Sequence, residues 1–170
     1  MFPALLIDRA KLLQAARDFF LKRNVLQVDC CALGPRAAID SNIDVIEASV
    51  SHSLTGFLHT SPEYAMKQLL ASGSLDIYFL GHVFRKGDIG HLHSPEFAMV
   101  EWYRLNFTLS QMIEETALFL SLFFGPLPLE TITYGDAFFR YVGIDYSAAP
   151  ISEIQKIAQK FGAADSENWS

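Results

Sequence analysis

The spacing of apolar positions changes several times along this chain, and each change marks an element. Leu12, Leu13, Ala16, Phe19 and Phe20 recur at helical spacing, with Asp8 as a cap and Arg17, Asp18 and Lys22 off the stripe. A helix is expected from Asp8 to about Arg23 and Asn24. Val25 to Cys31 then alternates as a strand, with Leu26, Val28 and Cys30 on one face and Gln27 and Asp29 on the other. An irregular stretch opens at Gly34-Pro35 and runs to about Asn42. Two further strands, Ile43 to Val50 and Gly56 to His59, are joined by the polar Ser51-His52-Ser53.

Ser61-Pro62-Glu63 is a helix start: a capping serine, a proline in the first turn and an acid at the positive end of the dipole. That helix is expected to reach Ala71 and stop at Gly73. Asp76 to Arg85 and Glu96 to Leu105 are strands, and the loop between them carries Gly87, Asp88 and Gly90, so an antiparallel hairpin follows. Thr108 or Ser110 caps a long helix ending at Gly125. Thr133 opens a shorter helix with Phe138, Phe139, Tyr141 and Val142 as its apolar side. Ser152 caps a last helix, Glu153 to Phe161, before Gly162 and a polar tail expected to fray. The layout is α+β, an antiparallel sheet flanked by helices.

The second hairpin strand carries the chemistry. Phe97, Met99, Glu101 and Tyr103 point one way, while Ala98, Val100 and Trp102 point to the core. Ring, thioether, carboxylate and phenol on one face suit a pocket that holds a base and an amine. A half-exposed strand with a solvated glutamate is the plainer alternative. Arg85 ends the preceding strand on the side of Phe79 and Val83, where its guanidinium can grip a phosphate or remain a surface cation beside Asp88. Glu63 and Lys67 are either a surface i,i+4 ion pair or the mouth of the same pocket. His91 and His93 are too few ligands for a metal site, and none is expected.

Composition narrows the class. The 170 residues are 51% hydrophobic and 19% charged, with 14 phenylalanines, which is ample for a packed core. The formal net charge of -6 gives no overall attraction to a phosphate backbone, so a large nucleic-acid footprint is not expected. The only cysteines, Cys30 and Cys31, are adjacent and poorly placed to pair, which suits a reduced, cytoplasmic protein. The N-terminus lacks a basic region, and the longest apolar run, Ala117 to Leu129, is too short and too interrupted to span a bilayer.

Taken together, His59-Thr60-Ser61-Pro62-Glu63-Tyr64-Ala65-Met66-Lys67, Phe84-Arg85 and His93-Ser94-Pro95-Glu96-Phe97 with Glu101-Trp102-Tyr103-Arg104 resemble the class II lysyl-tRNA synthetase family. The likeness is closest to the paralogues that attach lysine to elongation factor P. It runs from about Arg9 to Phe161 and is strongest over 57–107. It implies a class II catalytic domain spanning 1–170, partial at its C-terminal side and without an anticodon-binding domain. It implies that lysine or beta-lysine is activated with ATP and Mg²⁺ as an adenylate and passed to elongation factor P, in a homodimeric or self-associating protein. By the same resemblance Arg85 is catalytic and contacts the α-phosphate, His93 meets the outer phosphates, and Phe97 stacks on adenine. Glu63, Glu101 and Tyr103 then bind the substrate amines. Three places depart from the pattern. Gly87 stands where the family has a glutamate, Cys31 stands where its first motif ends in proline, and no third glycine-rich motif with an ATP-binding arginine occurs before Ser170. These departures support the alternative of a non-catalytic synthetase-like protein.

Overall fold

An eight-residue antiparallel hairpin carries the architecture. β5 (Ile77–Phe84) pairs with β6 (Glu96–Tyr103) in unbroken register from Ile77↔Tyr103 to Phe84↔Glu96. The computed structural model describes residues 2–163, and the polar tail from 164 onward lies outside the described residues. The chain forms two compact units, 1–127 and 128–170.

In the first unit α1 (Phe2–Leu21) starts earlier than the Asp8 cap suggested, and Asp8 lies inside it. Pro3 sits in the first turn, where a missing N–H costs nothing. The helix closes as Arg23 N–H donates to Phe20 O, with Asn24 in the left-handed region at φ 56°. The strand expected over Val25 to Cys31 shrinks to β1 (Leu26–Gln27), which pairs parallel with β5 through Leu26↔Ile77 and Gln27↔Tyr78. Leu26 and Gln27 are both exposed, Leu26 at 58%, while Cys30 is buried, so the shared face expected for Leu26 and Cys30 is not kept.

A second sheet has the order β2 (Leu33–Gly34), β4 (Leu54–Leu58), β3 (Glu47–Ser51), all antiparallel. β2 ends at Gly34, where the irregular stretch was expected to open, and β3 begins later than Ile43. α2 (Glu63–Ala71) and α3 (Leu109–Phe124) complete the unit. Thr108, not Ser110, caps α3, in a capping box with Gln111.

The two faces of the hairpin bury different cores. Tyr78, with the partly buried Leu80, Val100 and Trp102, packs against Phe19 and Phe20 of α1 and Phe119 of α3. Phe20 stacks on Tyr78 with centroids 4.2 Å apart. On the other face Ile77, Phe79 and Val83 pack with Cys30 and Met66 of α2, and Phe97, Met99 and Tyr103 border that cluster. This division matches the expected alternation of β6.

In the second unit Thr133 caps α4 (Tyr134–Val142) by accepting from Asp136 N–H at 3.1 Å. Its expected apolar side is only half realised, since Phe139 and Tyr141 are exposed. Phe138 instead joins Tyr134 and Tyr146 in an aromatic cluster. α5 (Ile151–Lys160) starts at Pro150 without a side-chain cap, so Ser152 lies inside it.

Candidate functional site

Register places the candidate side chains. Glu101 lies opposite Phe79, Met99 opposite Gly81 and Phe97 opposite Val83, so all face the side covered by α2. A Cβ at Gly81 would come within 2.5 Å of the Phe79 ring, so this position must stay bare for that ring to lie flat along the strand.

Both oxygens of Glu101 are held. Ser61 Oγ donates to Oε2 at 2.8 Å and Tyr103 OH donates to Oε1 at 3.0 Å. The N-cap of α2 is Pro62 and no side chain caps the helix, so Ser61 is not the capping serine the sequence suggested; its Oγ instead accepts the Glu63 N–H at 3.0 Å, and one hydroxyl joins the turn before α2 to β6. Each carboxylate oxygen keeps a lone pair for a further donor. Burial pushes the Tyr103 phenol well above its ordinary value, and its bond to Glu101 and the charges of Glu101 and Glu63 add to the rise. Glu63 therefore lies within electrostatic reach of Tyr103.

Glu63 is exposed and ion-paired with Lys67 one turn on. The bond to Glu63 raises the Lys67 ammonium first, then the Glu63 charge, with a smaller part from Glu101. Burial raises the Cys30 thiol, with Asp29, Cys31 and Glu101 adding to it. Glu63, Glu101 and Tyr103 thus form one acidic neighbourhood at the α2 end of the sheet.

The second group is Arg85 with Phe97. Arg85 N–H donates to Pro95 O at 2.8 Å, which closes the hairpin loop and points the side chain back along β6. Its guanidinium carbon lies 5.1 Å from the Phe97 ring centre. Arg85 Nε is buried and makes no hydrogen bond among the described residues. A buried donor without a partner is costly, and an anion beside the guanidinium would satisfy it. Phe97 and Glu101 stand four residues apart on one face, about 13 Å along the strand.

His93 does not join this group. It is exposed in the loop, where its N–H and carbonyl exchange hydrogen bonds with Gly90 at 3.3 and 3.2 Å. Gly87, the position that departs from the family pattern, has φ 84°, a conformation that disfavours a glutamate.

Two residues gain weight that the sequence did not give them. Ser61 read only as a helix cap. His59 read only as part of a motif, yet its ring Nε2 lies 2.8 Å from His82 O. A groove of about 570 Å³ opens beside it, between residues 27–32 and β5, lined by Gln27, Asp29, Cys30, His59, Gly81 and His82. None of the six candidate side chains lines this groove. Among the described residues no group of three His, Cys, Asp or Glu is gathered to hold a metal, and no helix is long and apolar enough to cross a membrane.

Residues 2–146 match the family model of tRNA synthetases class II (D, K and N). The chain is similar to an elongation factor P–(R)-beta-lysine ligase of Erwinia tasmaniensis, 36% identical over 168 residues, with 96% of this chain and 52% of that protein covered. A ligase of the same name from Haemophilus influenzae is 36% identical over 170 residues, with 96% and 53% covered. The chain thus spans about half the length of the curated relatives it matches. Among solved structures, the asparaginyl-tRNA synthetase of Pyrococcus horikoshii complexed with asparaginyl-adenylate superposes with a TM-score of 0.69 at 16% identity, over 94% of this chain and 43% of that one. That likeness bears on the fold.

Proposed function

Since the chain belongs to the class II tRNA synthetases of the D, K and N group, we propose that it carries the amino-acid and α-phosphate subsites of an ATP-dependent ligase. The ligase activates lysine or beta-lysine and transfers it to elongation factor P. The observation that carries this reading is the pair of subsites on one sheet face. A carboxylate held at both oxygens serves the amine, and the half-buried Arg85 beside Phe97, whose Nε is buried without a hydrogen bond among the described residues, serves the phosphate. The names of the similar ligases supply the substrate and the acceptor.

In this reading Glu101, steadied by Ser61 and Tyr103, and Glu63, freed from Lys67, bind the substrate ammonium groups. Tyr103 stays protonated and so keeps donating to Glu101. The substrate carboxylate attacks the α-phosphorus, pyrophosphate leaves, and Arg85 neutralises charge growing on the phosphate oxygens. The acyl group then passes to a lysine amine of the acceptor, and AMP leaves. Phe97 stacks on the adenine and the exposed His93 meets the outer phosphates. When bound with the nucleotide, Mg²⁺ would further neutralise the phosphates. The protein is cytoplasmic and works as a homodimer or larger self-associated form, with tRNA as the less favoured acceptor.

Gly87 favours a second reading, in which the chain binds nucleotide or partner without catalysis. ATP–pyrophosphate exchange on the 170-residue chain, with Mg²⁺ and either lysine isomer, separates the two. Exchange above background supports the ligase, and the preferred isomer separates factor modification from tRNA charging. A folded chain that exchanges nothing supports the non-catalytic reading or a half-enzyme whose remaining part lies on another segment.

A further inference from the structure

β5 loses its parallel partner early. After Gln27↔Tyr78 the chain from β1 makes one more bond, Val28 N–H to Tyr78 O at 2.8 Å, and then leaves the strand edge. His59 takes up the far end of that edge. Its carbonyl accepts Phe84 N–H at 3.0 Å, and its ring lies 2.8 Å from His82 O. A carbonyl only accepts, so Nε2 carries the proton and donates. One residue thus supplies both an acceptor and a donor to β5, as a paired strand would.

The same residue is tied backward and wedged. His59 N–H donates to Ala32 O at 2.8 Å. Its ring stands edge-on to Phe79 with centroids 5.7 Å apart, and lies 6.3 Å from Phe84. The segment that follows is stiff, because Thr60 is 4% exposed and Pro62 is fully buried. Ser61, two residues on, bonds both the Glu63 N–H and Glu101. Any movement of His59 along β5 therefore reaches Glu63 through a short, packed link.

We propose that His59 is a positioning residue: by bonding the free edge of β5 it holds the Ser61 turn in place and so sets the spacing between Glu63 and Glu101. Its consequence for substrate rests on the proposed diamino-acid site, where two ammonium groups must meet two carboxylates at one separation.

The test uses the full chain with His59→Phe, which keeps a ring but drops the donor, and His59→Gln, which restores an N–H near Nε2. Amide hydrogen exchange is read residue by residue, and pyrophosphate exchange is read against lysine and against ATP. In His59→Phe the Glu63 and Phe84 amides lose about tenfold in protection, the worth of one hydrogen bond, and α3 amides do not change. The lysine concentration for half-maximal exchange rises by about the same factor while that for ATP stays fixed, and His59→Gln recovers both. Unchanged Glu63 protection in His59→Phe overturns the proposal. Loss spread into α3, or loss equal in both variants, also overturns it, since a general packing role would do the same. If the amides behave as stated and the parent chain ignores lysine, the positioning of Glu63 stands and the diamino-acid reading fails.

Discussion

Ser61 Oγ donates to Glu101 Oε2 at 2.8 Å across 40 residues of sequence. The hydroxyl that accepts the Glu63 N–H at the start of α2 is thus also the group that orients a strand carboxylate. Replacing it with alanine removes that bond and the acceptor for the Glu63 N–H together. Ser61→Ala is expected to lower stability by about 1–2 kcal/mol and to weaken lysine binding. Urea unfolding and titration calorimetry read the two effects, and a variant with both unchanged would show that the hydroxyl is idle.

Glu115 is the buried charge of the helical face. It accepts from Trp102 Nε1 at 3.1 Å and pairs with Arg104 at 3.3 Å and Arg23 at 3.6 Å. Arg104 is anchored further by Asp76 at 3.1 Å. Glu115→Ala leaves a guanidinium and an indole N–H without their acceptor, and is expected to cost about 3 kcal/mol. Glu115→Gln keeps an acceptor for Trp102 and is expected to cost less. The denaturation midpoints should therefore order as parent, glutamine, alanine, and any other order would mean the network is not held through its charge.

Much of the site was legible because β6 obeys a strict period of two. Phe97, Met99, Glu101 and Tyr103 could be assigned to one face without knowing what covered it. The start of α1 was not legible, since Asp8 is as good a cap as any and only the observed turn shows Pro3 inside a helix. Glu115 was invisible for a different reason. Its partners come from positions 23, 102 and 104, on separate stretches of chain, and no local pattern marks such a meeting. His59 matters because β1 leaves β5 after Val28, and the length of a strand pairing is a tertiary outcome.

Stability should fall at high pH. The folded-state phenol of Tyr103 titrates above its unfolded value, so above about pH 10 the unfolded chain has lost a proton that the folded chain keeps. The stabilisation is whole below the unfolded value and drains away as pH rises toward the folded one. Cys30 is raised as well, and adds a loss that begins lower, near the ordinary thiol range. The free energy of unfolding is therefore expected to decline on the alkaline side, with a shallower slope in Tyr103→Phe. Equal slopes in the two proteins would mean that the folded-state phenol is not raised.

Arg85 separates binding from folding. Its Nε has no partner to lose, and its contact with the Phe97 ring at 5.1 Å is a modest cation–π pair. Arg85→Ala should thus change stability by no more than about 1 kcal/mol, within the ordinary range for such a contact. Nucleotide affinity should vanish, because in the proposed reading the guanidinium is the group that meets the phosphate. Arg85→Lys keeps the charge without the two-pronged geometry, and should recover only part of the affinity. Calorimetric titration with Mg²⁺–ATP beside urea unfolding reads both quantities on the same samples. Intact affinity in Arg85→Ala would place the phosphate elsewhere, whereas a large loss of stability would make this arginine a structural cation.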